Sequence, residues 1–217
     1  MYLHPPTGEC RLLLHLWDYD EDAIYVFRIG SGQSPRHIDC PDPEDLQGCD
    51  GLLFQGSIYW YRGSEIMVFN TTDESFSQIH PPVDRDYVQL FEMADMLGIF
   101  FYDREKKLVD IWVMQGNQSE VWDFKCRVEL PVAETRQQCQ CPRHHESMIA
   151  VLEDGGGLLV LFSCDDWLFQ VDVDGKLIAS LHSRGIDSTL CVLKQTLVQH
   201  TFFPTLEGYV VNAPPFI

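Results

Sequence analysis

The chain has 217 residues, 45% hydrophobic and 12% aromatic, and its 33 acidic against 15 basic side chains set a formal net charge of −18. This is the composition of a globular domain and not of a disordered chain. So acidic a surface repels phosphate, which argues against DNA or RNA as a ligand; it steers basic partners inward instead, over roughly 8 Å at physiological salt.

The N-terminal residues Met1-Tyr2-Leu3-His4-Pro5-Pro6 have neither a basic n-region nor an apolar core, so no secretion signal is read there. The longest apolar runs, such as residues 97–102 and 158–162, have strand length and are far short of a membrane span. Eight cysteines are too dilute here for a disulfide framework. A protein of the cytosol or nucleus with reduced thiols is expected.

Residues 11–16 and 24–29 read as two strands joined through an acidic loop at 18–22. Residues 34–50, with three prolines, one glycine and mixed charge, read as a connection between structural units. A pattern then begins that returns at intervals. Its first copy runs through Leu52-Leu53-Phe54, Gly56, Ile58-Tyr59-Trp60-Tyr61, Ile66-Met67-Val68-Phe69 and Phe76 to Ile79. The next holds Leu90-Phe91, Gly98, Ile99 to Tyr102, Leu108 to Trp112 and Val121 to Phe124, at offsets of about 42–43 residues. A third copy, at Gly157, residues 158–162, 168–173 and 177–181, arrives about 59 residues later; a polar insertion around residues 135–147 accounts for the excess. Asn70 to Glu74 and Asp174-Gly175 fill equivalent hairpin tips. Past Ile186 the pattern blurs, and residues 190–197 and 209–212 read as strands of a partial last unit. No stretch of twelve or more residues carries helical periodicity. Four short strands per repeat of this length predict an all-β fold, a β-propeller-like array of about four blades plus a remnant, in a single domain over residues 1–217. An incomplete ring and an N-terminally truncated chain are both compatible with this count.

The order of the motifs resembles the F-box-associated, kelch-like β-propeller domain of plant F-box proteins. The likeness is carried by His4-Pro5-Pro6-Thr7-Gly8-Glu9, Leu53-Phe54-Gln55-Gly56-Ser57-Ile58-Tyr59-Trp60, and Ile66 to Phe76 with Ile79 and Pro81. It continues in Leu97-Gly98-Ile99-Phe100, Asp110-Ile111-Trp112-Val113-Met114 and Trp122 to Leu130. The resemblance implies a protein-interaction domain, the substrate-recognition part of an SCF-type ubiquitin-ligase receptor, with no catalytic chemistry of its own. In that family a helical F-box precedes the propeller and docks on a Skp1-type adaptor. No such segment is read in this sequence, so that partner is expected only if an F-box lies upstream.

Candidate sites were read against simpler explanations. Asp18, Asp20 and Asp22 have the spacing that opens a calcium loop, but Ala23 and Ile29 stand where the loop needs glycine and glutamate. Cys139, Cys141, His144 and His145 are zinc-ligand types packed too tightly to converge on one ion. Nucleophile elbows, metalloprotease helices and phosphate loops are missing, so no catalytic residue, metal or cofactor is expected. Asp165-Asp166 are the best carboxylates for a propeller glycoside hydrolase, the remotest alternative. Trp60, Trp112 and Trp122 read as packing between blades. The loops joining second to third strands, with the connection 80–87, line one face of a propeller. They supply the binding candidates Tyr61, Arg62, Arg104, Asp165 and Trp167. The expected partner is a protein target, a basic one being favoured by the charge, and neither nucleic acid nor membrane. Glycan recognition by the same face is the alternative.

Overall fold

The computed structural model describes residues 1–17, 22–46, 51–84, 87–93, 95–116, 121–139, 146–154, 157–164 and 166–182. They form four antiparallel sheets of four strands, each in sequential order. The first holds β1 (Tyr2–His4), β2 (Glu9–Trp17), β3 (Asp22–Arg28) and β4 (Arg36–Ile38). The second holds β5 (Leu52–Phe54), β6 (Ser57–Arg62), β7 (Glu65–Asn70) and β8 (Ser75–Ile79). The third holds β9 (Val88–Met93), β10 (Met96–Asp103), β11 (Leu108–Met114) and β12 (Trp122–Glu129). A short helix, α1 (Val132–Gln138), precedes the fourth, made of β13 (Glu146–Asp154), β14 (Gly157–Cys164), β15 (Trp167–Asp172) and β16 (Leu177–His182). The all-β expectation holds, and the four repeats are the four sheets.

Alternation along the strands explains how the sheets stack, because successive side chains point to opposite faces. In β6, Ile58 and Trp60 join a buried cluster with Ile24, Val26 and Ile38 of the first sheet. Tyr59 belongs instead to a cluster with Leu97, Ile99 and Phe101 of the third. In β10, Phe100 and Tyr102 turn the other way, toward Val160, Phe162, Phe169 and Val171 of the fourth. Among the described residues the packing is therefore linear, each sheet buried against the next, and the array does not close on itself. Trp60, Trp112 and Trp122 all pack in these layers between sheets.

Three features differ from the sequence reading. Residues 34–50 contribute the fourth strand of the first sheet and a 3₁₀ turn, Pro43–Leu46, and are not merely a connection. The segment ahead of the fourth sheet opens as helix, with Thr135 and Cys139 buried against the sheets and the Cys139 thiol donating to the Cys164 carbonyl at 3.6 Å. Gly56 and Gly98 are not structural equivalents. Gln55 and Gly56, with φ of 42° and 79°, make the two-residue hairpin between β5 and β6 that positive φ favours. Gly98 lies inside β10, directly across from Phe91, whose ring covers it; a Cβ there would stand 2.4 Å from the ring. The predicted partial unit beyond Ile186 lies outside the described residues.

In a sequential antiparallel sheet, the first and third turns share one end, here called the lower, and the second turns share the upper end with the sheet-to-sheet connections. At the lower end the first two sheets are latched. The β7–β8 hairpin carries Glu74 at φ 54°, with its side chain 4% exposed. Tyr2 donates its hydroxyl to Glu74 Oε1 at 2.6 Å, and Arg11 and Arg36 pair with the same carboxylate. Beside it His4 Nε2 donates to the Thr72 carbonyl at 3.1 Å. The His4 to Glu9 motif and the Asn70 to Glu74 hairpin, read separately in the sequence, are thus two halves of one contact. Burial would raise the Glu74 pKa, but the hydrogen bonds from Tyr2 and Arg11 and the charges of Arg11 and Arg36 more than offset it and hold the carboxyl below its ordinary value.

Two outcomes are expected. Gly98→Ala drives a methyl into the Phe91 ring and should lower stability by about 1–3 kcal/mol in urea unfolding followed by tryptophan fluorescence. Glu74→Ala strands Arg11 and should cost about 3 kcal/mol at neutral pH. Because the folded pKa of Glu74 is depressed, its contribution is complete above the ordinary carboxyl value of 4.5 and is lost as pH falls through the lower folded value. Glu74→Gln should therefore show a shallower loss of stability below about pH 4.5 than the parent chain; parallel acid curves would refute the latch.

Candidate protein-binding face

The upper end presents the β6–β7 and β10–β11 turns and the start of β15, and four of the sequence candidates, Tyr61, Arg62, Arg104 and Trp167, lie there on three successive sheets. Tyr61 is half-buried, packed at the edge of the cluster between the second and third sheets. Arg62 is exposed and faces Glu65 across the β6–β7 turn. The β10–β11 turn is built by Asp103, whose Oδ1 accepts the N–H groups of Glu105 and Lys106 at 3.1 and 2.9 Å. The Lys106 N–H chiefly, with that residue's ammonium at 3.2 Å from Oδ2, holds the Asp103 carboxyl below its ordinary value. The turn stays folded on its own hydrogen bonds, which leaves Arg104 at the tip.

Arg104 does not project alone. Its guanidinium carbon lies 3.8 Å above the ring centroid of Tyr87, and Nη1 donates to the Tyr87 hydroxyl at 2.9 Å. Tyr87 ends the connection from the second sheet, 53% exposed, with φ 55°. A bulky residue in the left-handed region costs about 1–2 kcal/mol. The Tyr87 carbonyl accepts the Tyr102 N–H at 3.0 Å, so β10, the neighbour of the strand that Tyr87 precedes, helps hold the conformation. The pair is a flat, cationic and aromatic platform facing solvent.

Trp167 opens β15 and is more deeply engaged. Its ring stacks on Phe169 at 6.1 Å and meets His182 at 4.7 Å, at the margin of the cluster between the third and fourth sheets. Asp166 beside it is exposed, and Asp165 lies outside the described residues. The structure brings Arg104 together with Tyr87, and it places Tyr61, Arg62 and Trp167 on the same end as separate sites.

The remaining motifs take structural places. Asp22 pairs with His15 at the turn end of the β2–β3 hairpin, 3.4 Å apart, while Asp18 and Asp20 lie outside the described residues. Cys139 is buried in the core, and Cys141, His144 and His145 fall outside the described residues. On the outer strands Arg127 clasps Asp110 with two hydrogen bonds, 2.5 and 2.9 Å, beside Trp112 and Phe124.

The family profile of the F-box associated β-propeller domain matches residues 12–164, which span the first sheet from within β2, the whole of the second and third, and the fourth through β14. The chain belongs to the F-box associated β-propeller family. No curated protein and no solved structure gives a significant match. Membership suggests a protein-interaction role and protein partners, and among the described residues no helix is long and apolar enough to cross a membrane.

Two features of this family member escaped the sequence reading. Tyr87 lay in the connection recognised as part of the binding face but was not singled out; the only signal was an aromatic residue one place before a strand. The His15–Asp22 pair was hidden because its members stand on different strands, and alternation alone does not tell which histidine meets a carboxylate.

Proposed function

We propose that the chain is a recognition domain that captures a protein target on its upper end, in the manner of the substrate-binding half of an SCF-type ubiquitin-ligase receptor, and that it performs no chemistry itself. The observation that carries this reading is the Arg104–Tyr87 platform. A strained backbone is retained where the surroundings enforce it, and such places cluster at binding sites. The strain here exposes a ring and an arginine, the residue types that dominate interface energetics. An exposed cation–π pair returns only about 0.5–1 kcal/mol, so stability gives little reason to keep it.

The partner is a polypeptide with a basic segment. The net charge of −18 accelerates encounter with such a target, while Arg62 and Arg104 supply planar groups for its carbonyls and carboxylates. Ubiquitin transfer belongs to other subunits, reached through a Skp1-type adaptor where an F-box is joined to the domain. Cytoplasm and nucleus are the compartments that suit this role.

The test is an array of basic, neutral and acidic peptides alongside oligosaccharides, probed with the purified chain and with Arg104→Ala and Tyr87→Ala. Basic peptides should bind, each variant should weaken them by about tenfold, roughly 1.4 kcal/mol, and thermal unfolding should move little. Selective capture of oligosaccharides would favour the glycan-binding alternative. Glycoside hydrolysis abolished by Asp166→Asn would establish a propeller hydrolase.

A further inference from the structure

On the outer half of the third sheet lies a cavity of about 370 Å³, lined by Val83, Asp110, Trp112, Phe124 and Arg127. Trp112 and Phe124 meet edge to face, with ring centroids 5.1 Å apart, and Phe124 is 49% exposed. Val83 belongs to the connection that ends at Tyr87, and Asp110 pairs with Arg127 near the upper ends of β11 and β12. The cavity therefore adjoins the proposed binding end.

Its polar groups are unevenly matched. The Asp110 carboxylate is engaged by Arg127, which reaches it through Nε and Nη2 and has no use for Nη1 in that clasp. Trp112 Nε1, in contrast, is buried without a hydrogen bond. Buried donors of this kind are rare, because a group taken from water and left unmatched forfeits its hydration with nothing in return. An indole N–H can only donate, so what completes the wall must bring an acceptor.

We infer that this cavity receives a proline residue of the bound polypeptide, its ring against Trp112 and Phe124 and the carbonyl before it accepting the Trp112 indole N–H. The inference rests on the proposed recognition role and names a residue recognised. Asp110 balances the charge of Arg127, and a chain of net charge −18 repels anions, so a neutral carbonyl suits the site better than a carboxylate. An ordinary peptide unit would carry an N–H in with its carbonyl, and the carboxylate that could accept it is already engaged. Proline has no N–H. Its apolar ring and extended backbone also fit aromatic walls, the mode by which proline-rich segments are bound elsewhere. The Trp112 N–H is shielded from water, so the carbonyl reaches it by displacing the half-exposed Phe124 ring, which then closes on the proline.

The experiment uses the intact chain and fluorescein-labelled octapeptides with a fixed central proline and random flanks, read by anisotropy. The tightest binders are resynthesised with alanine or N-methylalanine at that position, which alters the ligand and leaves the fold untouched. Alanine, which restores the N–H, should weaken binding at least about tenfold, and N-methylalanine, which keeps the tertiary amide, by no more than about threefold. On Phe124→Ala the difference between proline and alanine peptides should shrink to within about threefold. An undiminished difference would mean that the stiffness of the peptide is being read, and it overturns the pocket. In the isotope-labelled chain, the indole N–H signal that Trp112→Phe removes should shift on binding; an unmoved signal also overturns it. If binding depends on Arg104 and Tyr87 but ignores both the proline replacement and Phe124→Ala, the pocket is overturned and the platform stands. Dependence on proline and Phe124 without Arg104 or Tyr87 supports the pocket and removes the platform. Should no library member bind, both are overturned.

Discussion

A four-stranded sheet with apolar side chains on both faces cannot exist alone in water, and this constraint organises the molecule. Ile58 and Trp60 of β6 point one way and Tyr59 the other, so the second sheet is held only when a sheet lies on each side. The third is in the same position, with Leu97, Ile99 and Phe101 on one face and Phe100 and Tyr102 on the other. Stability is consequently shared between neighbours, as in other repeat architectures. The close approach that permits this leaves no room at a few points, Phe91 over Gly98 being the tightest inside a strand.

Dispersion and burial bring sheets together without fixing how one is rotated on the next. The polar latch at the lower end supplies that registry. Glu74 collects Tyr2, Arg11 and Arg36 from three strands of the neighbouring sheet, and Gln55 reaches the Asp95 carbonyl of the third sheet at 2.8 Å. Gly175, in the β15–β16 turn, sits where a Cβ would stand 2.3 Å from the Glu129 carbonyl of the third sheet. A buried carboxylate is costly unless fully matched, and directional partners make it selective for one arrangement.

The strands were legible because each is a run of apolar residues bounded by turn residues, and the hairpin tips because Asn70 to Glu74 and Asp174-Gly175 tolerate the backbone a tight turn needs. What remained hidden was set by length or by distance. β4 has three residues with one buried side chain, Ile38, and α1 has seven, too few for either period to register. The glycine spacing misled in detail: Gly56 serves φ and Gly98 serves contact, two requirements that look identical in one dimension. Glu74 read only as part of a hairpin tip, since partners 72, 63 and 38 residues away leave no local trace. Among the site residues, the turns carrying Tyr61, Arg62, Arg104 and Trp167 were found from repeat position alone. Tyr87 could not be ranked without knowing that its backbone is strained.

The two ends thus divide the labour of the fold. Lower-end turns are committed to neighbouring sheets, so a change there alters how the sheets are rotated on one another. Upper-end turns such as Asp103–Leu108 close on their own hydrogen bonds, and their tips can change chemistry with little effect on the layers below. Arg104 illustrates the freedom: its partner Tyr87 is itself a surface residue, and neither contributes to the buried clusters. An array built this way can vary what it recognises while conserving how it stacks.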